Sequence, residues 1–385
     1  MTSLRFILGF FIAIFNLFIL LFPTEILSAS KSGIVLWAMN VLPTLLPFLI
    51  GTNILIKTGM AELIGILLEP IMYPIFGVPG CGAFALISGI ISGYPVGAKI
   101  TQTLRNSNQL TKHQAQSLIS FCNSCGPLFI LGTIGTSMLG SKSAGYFIMF
   151  VHYFSALIVG LISRFFFSAE RNVDKKIFFH TISQKIFHRG DKNIGNIISE
   201  SVSDSIWSIL QIGGFIVLFS IIAKILELSN FISFVWNFFS HFNFISKLGY
   251  ENFSGILIGM IEMTNGAKIL TMREILPVTL IILSALVSFG GFSIHMQSLS
   301  FIAKTDINAH AYIFSKFIHA IISVFVAKLA LPFFNFNFEN VKGDVLEFNF
   351  ADKIVLSFKY FALTLIIQFI LIFIAMIIKR KKLCM

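Results

Sequence analysis

The chain has 385 residues, 56% of them hydrophobic and only 12% charged, against about 25% charged in an ordinary globular domain. A soluble core stops growing beyond roughly 250–300 residues, so this excess requires lipid as solvent. Continuous apolar runs such as residues 206–223 exclude an outer-membrane barrel, which would alternate in segments of ~10 residues. The net charge of +11 lies mainly in short loops and at the C-terminus, where basic residues orient membrane helices. Nucleic acid is excluded as a partner, because it needs a soluble basic face with base-stacking groups.

The expected fold class is all-α, a polytopic membrane protein with two inverted-topology repeats containing re-entrant or broken helices. Runs long enough to cross about 30 Å of hydrocarbon occupy residues 4–22, 33–56, 144–167, 206–226, 311–331 and 354–378. The apolar core of the first exceeds the 7–15 residues usual in a signal peptide, so a retained helix is expected there. Shorter runs fall at 63–76, 82–92, 128–139, 231–245, 253–261 and 275–289. These are short for spanning and read as re-entrant, broken or interfacial segments. Within or beside them gather Glu69-Pro70, Pro74, Gly93-Tyr94-Pro95, Gly126-Pro127, Asn265-Gly266 and Gly290-Gly291. Irregular backbone at membrane depth is tolerated only inside protein or around an aqueous cavity, so paired breaks point to a binding site.

An internal correspondence supports the repeats. Gly97-Ala98-Lys99-Ile100 recurs as Gly266-Ala267-Lys268-Ile269, and each is followed by a break-bearing apolar helix and then a full-length span. The basic tail Lys379-Arg380-Lys381-Lys382 and the basic central loop are expected in the cytoplasm, with the acidic segment 339–352 outside. The spans 144–167 and 311–331 then run in opposite directions, as inverted repeats require. The expected organisation is an N-terminal helix over 1–30, a first repeat over 31–167 and a basic linker over 168–200. A second repeat over 201–335 precedes an extracytoplasmic loop, final helix and tail over 336–385.

Candidate substrate-binding residues follow from the breaks. In the first half they are Ser92, Gly93, Tyr94, Pro95, Gly97 and Lys99, with Asn123 and Ser124. Helix N-termini freed by glycine and proline carry partial positive charge that suits a carboxylate, and Lys99 adds a full charge. The plainer alternative is a tight turn with Lys99 snorkelling to the interface. In the second half they are Asn265, Gly266, Lys268, Ser293, His295 and Gln297. Glu262 closes a short apolar helix, where an acid is costly unless paired or wetted. It is the candidate for pairing with Lys268, binding a coupling cation such as Na+, or carrying H+. His295 titrates near neutrality in its ordinary state, with a structural hydrogen bond as the equal alternative. The remaining histidines, including His152 and His319, are expected near interfaces or in loops.

Cys122 and Cys125 have redox spacing but lie in an apolar stretch without a thioredoxin-like pattern, so packing is the expected role. No metal, cofactor or catalytic residue is expected: HExxH, GxSxG and Walker A patterns are missing. Transport would therefore be secondary or facilitated.

Glu69-Pro70 with Pro74, Gly77-Val78-Pro79-Gly80, Ser92-Gly93-Tyr94-Pro95-Val96-Gly97-Ala98-Lys99, Ser124-Cys125-Gly126-Pro127-Leu128-Phe129 and Ser288-Phe289-Gly290-Gly291-Phe292-Ser293-Ile294-His295 together resemble the sporulation integral membrane protein YlbJ family. That family is also called stage V sporulation protein V and contains nucleoside-recognition (Gate) domains. The similarity spans about residues 30–335, with Cys122, Cys125 and Gly126 departing mildly from the family pattern. It implies movement of dipicolinic acid, a small aromatic dianion, across the outer forespore membrane during sporulation. Nucleoside transport is one alternative, and a non-transporting scaffold of the sporulation apparatus is another.

Overall fold

In the computed structural model, residues 2–167, 193–272 and 277–336 are described. Among them every regular element is helical. Four helical stretches are long and apolar enough to cross a membrane: Lys142–Phe166, Ile194–Leu228, Pro277–Ile302 and Ala309–Phe333. Exposed side chains such as Phe6, Phe165, Trp207 and Phe325 turn apolar area outward, as a lipid-facing surface requires.

The N-terminal helices are α1 (Thr2–Leu21), α2 (Pro23–Leu36) and α3 (Leu42–Thr58), with a π-helical turn at Trp37–Val41 between the last two. The expected continuous span at 33–56 is thus interrupted by that turn. Helix α9 (Ile194–Leu228) packs along α2 and α3. Trp37 Nε1 donates to the Ile209 carbonyl at 3.0 Å, and Asn53 Nδ2 donates to Ser205 Oγ at 2.9 Å. Lys57 pairs with Glu200 and Asp204 at one end of this contact.

The first half continues with α4 (Met60–Phe76), α5 (Cys81–Ser92), α6 (Val96–Asn106) and α7 (Lys112–Cys122). A π-helical segment (Phe129–Met138) and the long α8 (Lys142–Phe166) complete it. Glycines set the α4–α5 corner, where α4 from Leu67 onward and α5 meet at 86°: Gly77 adopts φ +69°, and the Gly80 amide donates to the Glu69 carboxylate. Thr111 starts α7 with a reciprocal capping box to Gln114.

The second half holds α10 (Phe231–Phe239), the single turn α11 (Asn243–Ser246), α12 (Tyr250–Ile261), α13 (Met263–Leu270), α14 (Pro277–Phe289), α15 (Gly291–Ile302) and α16 (Ala309–Ala330). Its order repeats that of the first half. A hairpin bearing Gly-Ala-Lys-Ile is followed by a second broken pair and a long helix, so α12–α13 matches α5–α6 and α16 matches α8.

The run at 275–289 is the first limb of a broken helix, one of the readings expected for it: α14 and α15 continue one another with only Gly290 between them and together reach spanning length. The boundary placed at 200–201 falls inside the continuous helix α9. The basic residues of 168–192, the acidic segment 339–352 and the span 354–378 lie outside the described residues.

One apolar cluster joins the first half to α9 and to Ile302, Ile307 and Tyr312 of the second. Another joins the π-helical segment and α8 to α13, α14 and α16. The halves therefore share their cores and meet along α8, α14 and α16.

Candidate functional site

The four helix breaks converge. Gly93, at φ +84°, ends α5, and a Cβ there would lie 2.6 Å from the Gly126 amide. A Cβ on Gly97 would lie 2.8 Å from the Cys122 carbonyl carbon and 2.9 Å from Asn123 Cα. Both first-half breaks thus touch backbone to backbone. In the second half a Cβ on Gly266 would meet Gly259 and the Gly255 carbonyl, and one on Gly291 would lie 2.9 Å from the Gly259 carbonyl. Gly290 faces the Tyr94 ring, with a Cβ there 3.3 Å from Tyr94 Cζ. Tyr94 is therefore where the two halves' breaks meet, and its hydroxyl points to the Val287 carbonyl at 3.3 Å.

Asn123 is the hub of the polar centre. Fully buried, it accepts from the Ala98 amide at 3.4 Å through Oδ1. Its Nδ2 donates to Ser298 Oγ and to Tyr312 Oη, both at 2.8 Å. Its backbone carbonyl accepts from the ammonium of Lys316, which also stands 5.6 Å from the centroid of the Tyr94 ring. Lys316 is completely buried in α16. A lysine at the middle of a membrane helix costs about 2.5–3.5 kcal/mol on insertion scales, so its position among polar partners needs a reason.

Two histidines lie beside it. His152 of α8 and His319 of α16 sit at equal distances beyond their N-caps, Ser141 and Asn308, with ring centroids 5.0 Å apart. The Cys125 amide donates to His152 Nε2 at 2.9 Å, which places the ring proton on Nδ1, facing Ser288 Oγ at 3.1 Å. His319 Nε2 donates to the His152 carbonyl at 3.0 Å. The expectation that these histidines lie near interfaces or in loops is corrected: both are fully buried, held inside by backbone partners that only the folded chain supplies.

The expected site residues divide. Tyr94, Asn123 and His295 come together, with His295 Nδ1 3.4 Å from Tyr312 Oη. Ser92, Gly93, Pro95, Gly97 and Ser124 line the adjoining breaks, Ser124 Oγ donating to the Phe121 carbonyl at 3.2 Å. Ser293 and Gln297 are buried along α15 and contact each other at 3.4 Å. Lys99 is half-buried with its amine 5.2 Å from the Phe301 ring centroid, while Lys268 is exposed. The expected Glu262–Lys268 pair is not formed. Glu262 instead accepts from the amides of Thr264 at 3.1 Å and Asn265 at 2.8 Å, acting as the N-cap of α13. Gly266 serves close helix approach. Cys122 and Cys125 are both free and buried, with Cys122 Sγ 3.3 Å from Thr101 Oγ1. Lys316, Tyr312, Ser298, His152 and His319 were not singled out; the available signal was a lysine inside the apolar run 311–331.

Away from this centre a polar clasp joins the halves. Arg105, at the end of α6, holds Asp306 through two bonds of 2.8 and 2.9 Å, and Gln116 exchanges two bonds with the backbone of Asn308. The Arg105 guanidinium holds the Asp306 carboxyl below its ordinary range.

Residues 38–163 match the family described as "Nucleoside recognition", named Gate. The chain is 33% identical over 323 residues to the sporulation integral membrane protein YlbJ of Bacillus subtilis (strain 168), covering 81% of this chain and 79% of that protein. No solved structure matches. The chain belongs to the sporulation integral membrane protein YlbJ family.

Proposed function

We propose that this membrane protein is a secondary transporter or facilitator of a small anionic metabolite. The observation that carries this reading is the convergence of four helix breaks from two similar halves on one buried polar centre. Irregular backbone is expensive in lipid and persists where protein surrounds it. In transporters built from repeats, such breaks hold the substrate near the bilayer midplane, and one half moves against the other. The family relationship ties the activity to endospore formation. Dipicolinate crossing the outer forespore membrane is the substrate and place that the resemblance implies.

The Gate match, by its description, favours one second reading, a nucleoside as cargo. Purified full-length protein in liposomes, given labelled dipicolinate or labelled uridine in parallel, separates the two. Uptake of dipicolinate above empty vesicles is expected. Uridine uptake alone would replace the anion by a nucleoside, and uptake of neither would favour a scaffold. Imposed H+ and Na+ gradients in the same vesicles report whether either ion drives the movement.

A further inference from the structure

Among the described residues, the buried lysine of α16 has no partner of opposite charge. Its ammonium has three N–H donors; the Asn123 carbonyl takes one and the Tyr94 ring faces the charge. No acidic side chain among the described residues pairs with it. Glu262 turns both oxygens to its own helix, Asp306 holds Arg105, and Glu200 and Asp204 hold Lys57. A buried charge without a counter-charge is strongly unfavourable. A second, independent gap lies in the same cluster: His295, 1% exposed, leaves Nε2 without a partner among the described residues, while its ring packs edge-on against Tyr312 with centroids 5.6 Å apart.

We propose that Lys316 is the counter-charge for a carboxylate of the transported solute, at a site completed by Asn123, Tyr94, Tyr312 and His295. This rests on the transport reading and moves the principal cationic role from Lys99 and Lys268 to a residue of α16. The carboxylate replaces the neutral carbonyl of Asn123 as acceptor for the ammonium, and the Tyr312 hydroxyl and His295 Nε2 provide further polar contacts. Both halves contribute: Tyr94 and Asn123 come from the first, Lys316, Tyr312 and His295 from the second. A solute bound there would hold the two sets of breaks together. All five residues are buried or half-buried, so the centre is occluded, and access requires the breaks at Gly93 and Gly290 to part. The same amine held neutral would need no counter-charge and would leave anion affinity indifferent to position 316.

Binding is measured on the purified full chain in detergent with three probes: dipicolinate, pyridine-2-carboxylate and the neutral pyridine-2,6-dicarboxamide. Wild type should bind the two anions at least tenfold more tightly than the diamide. Lys316→Met, checked for a monodisperse elution profile, should lose that preference, and Lys316→Arg should keep it. The wild-type preference alone tests the anion site if Lys316→Met does not fold. Equal binding of diamide and dipicolinate by wild type, or dipicolinate affinity within twofold of wild type in folded Lys316→Met, would overturn the proposal. So would no binding of any probe. Lys316-dependent anion binding without liposome uptake would remove transport and keep the site; uptake independent of Lys316 would do the reverse.

Discussion

The hairpins α5–α6 and α12–α13 carry the same Gly-Ala-Lys-Ile segment but satisfy their broken ends in opposite ways. In α12–α13 the cap is local. Glu262 stands at the N-terminus of α13 and accepts from two amides of that helix's first turn, which answers the unpaired donors every helix start exposes. In α5–α6 the residue at the cap is Pro95, which makes no side-chain cap. The acceptor for the α6 amide of Ala98 is instead Asn123, from the next break along the chain. A local cap makes a self-contained hairpin. A borrowed one ties α6 to α15 and α16, because the same asparagine holds Ser298, Tyr312 and Lys316. The first hairpin is therefore the one whose position reports on the second half.

That contrast can be broken at its strongest point first. Asn123→Ala leaves the buried Ala98 amide of α6 without its acceptor, at about 1–3 kcal/mol, and removes the side-chain bonds to Ser298 on α15 and Tyr312 on α16. Thermal unfolding in detergent should show a large loss, together with loss of dipicolinate uptake. An Asn123→Ala protein as stable as wild type would mean that the α6 cap is supplied some other way.

Glu262→Ala removes a local cap and should cost about 0.5–2 kcal/mol, whereas Glu262→Gln keeps one acceptor and should cost less. If the carboxylate is only a cap, Glu262→Gln should retain more than half of wild-type uptake and the same response to imposed H+ and Na+ gradients. Abolished uptake in a folded Glu262→Gln protein would return the residue to ion coupling.

The smallest effect belongs to the Arg105–Asp306 clasp. It is partly solvated, at 24% and 44% side-chain exposure, and such pairs contribute about 0–1 kcal/mol. Because Asp306 is held below its ordinary range by Arg105, the pair's contribution is present above about pH 4. It is lost as the pH falls through the lowered value. Arg105→Ala should lower the midpoint slightly at pH 7 and by less at a pH below the titration of Asp306. An equal shift at both pH values would mean that Arg105 acts through packing.

How much of this was readable beforehand depended on the range of the interaction. The paired helix breaks were visible as clusters of Gly, Pro and short polar residues, because backbone conformation is decided within a few residues. Tyr94, Asn123 and His295 were among the candidates for the same reason, since they sit in or next to a break. Glu262 was visible as an acid at a helix end, yet its role was not, because the competing partner Lys268 lies on an exposed face that spacing alone does not reveal. Lys316, His152 and His319 stand inside unbroken helices, where spacing does not say whether a polar side chain faces the interior, lipid or water.

From the sequence alone came membrane residence, helical class, the position of the breaks and the doubling of the pattern. All of these rest on apolar run length and on the backbone preferences of individual residues. Tertiary structure alone decided which breaks touch, that α6 is capped from a neighbouring break, and that α16 brings a lysine to the Tyr94 ring and the Asn123 carbonyl. The contacts of Asn123 with α15 and α16 join residues 175 to 193 positions apart in the chain. Their geometry depends on how whole helices pack, and no local preference encodes that.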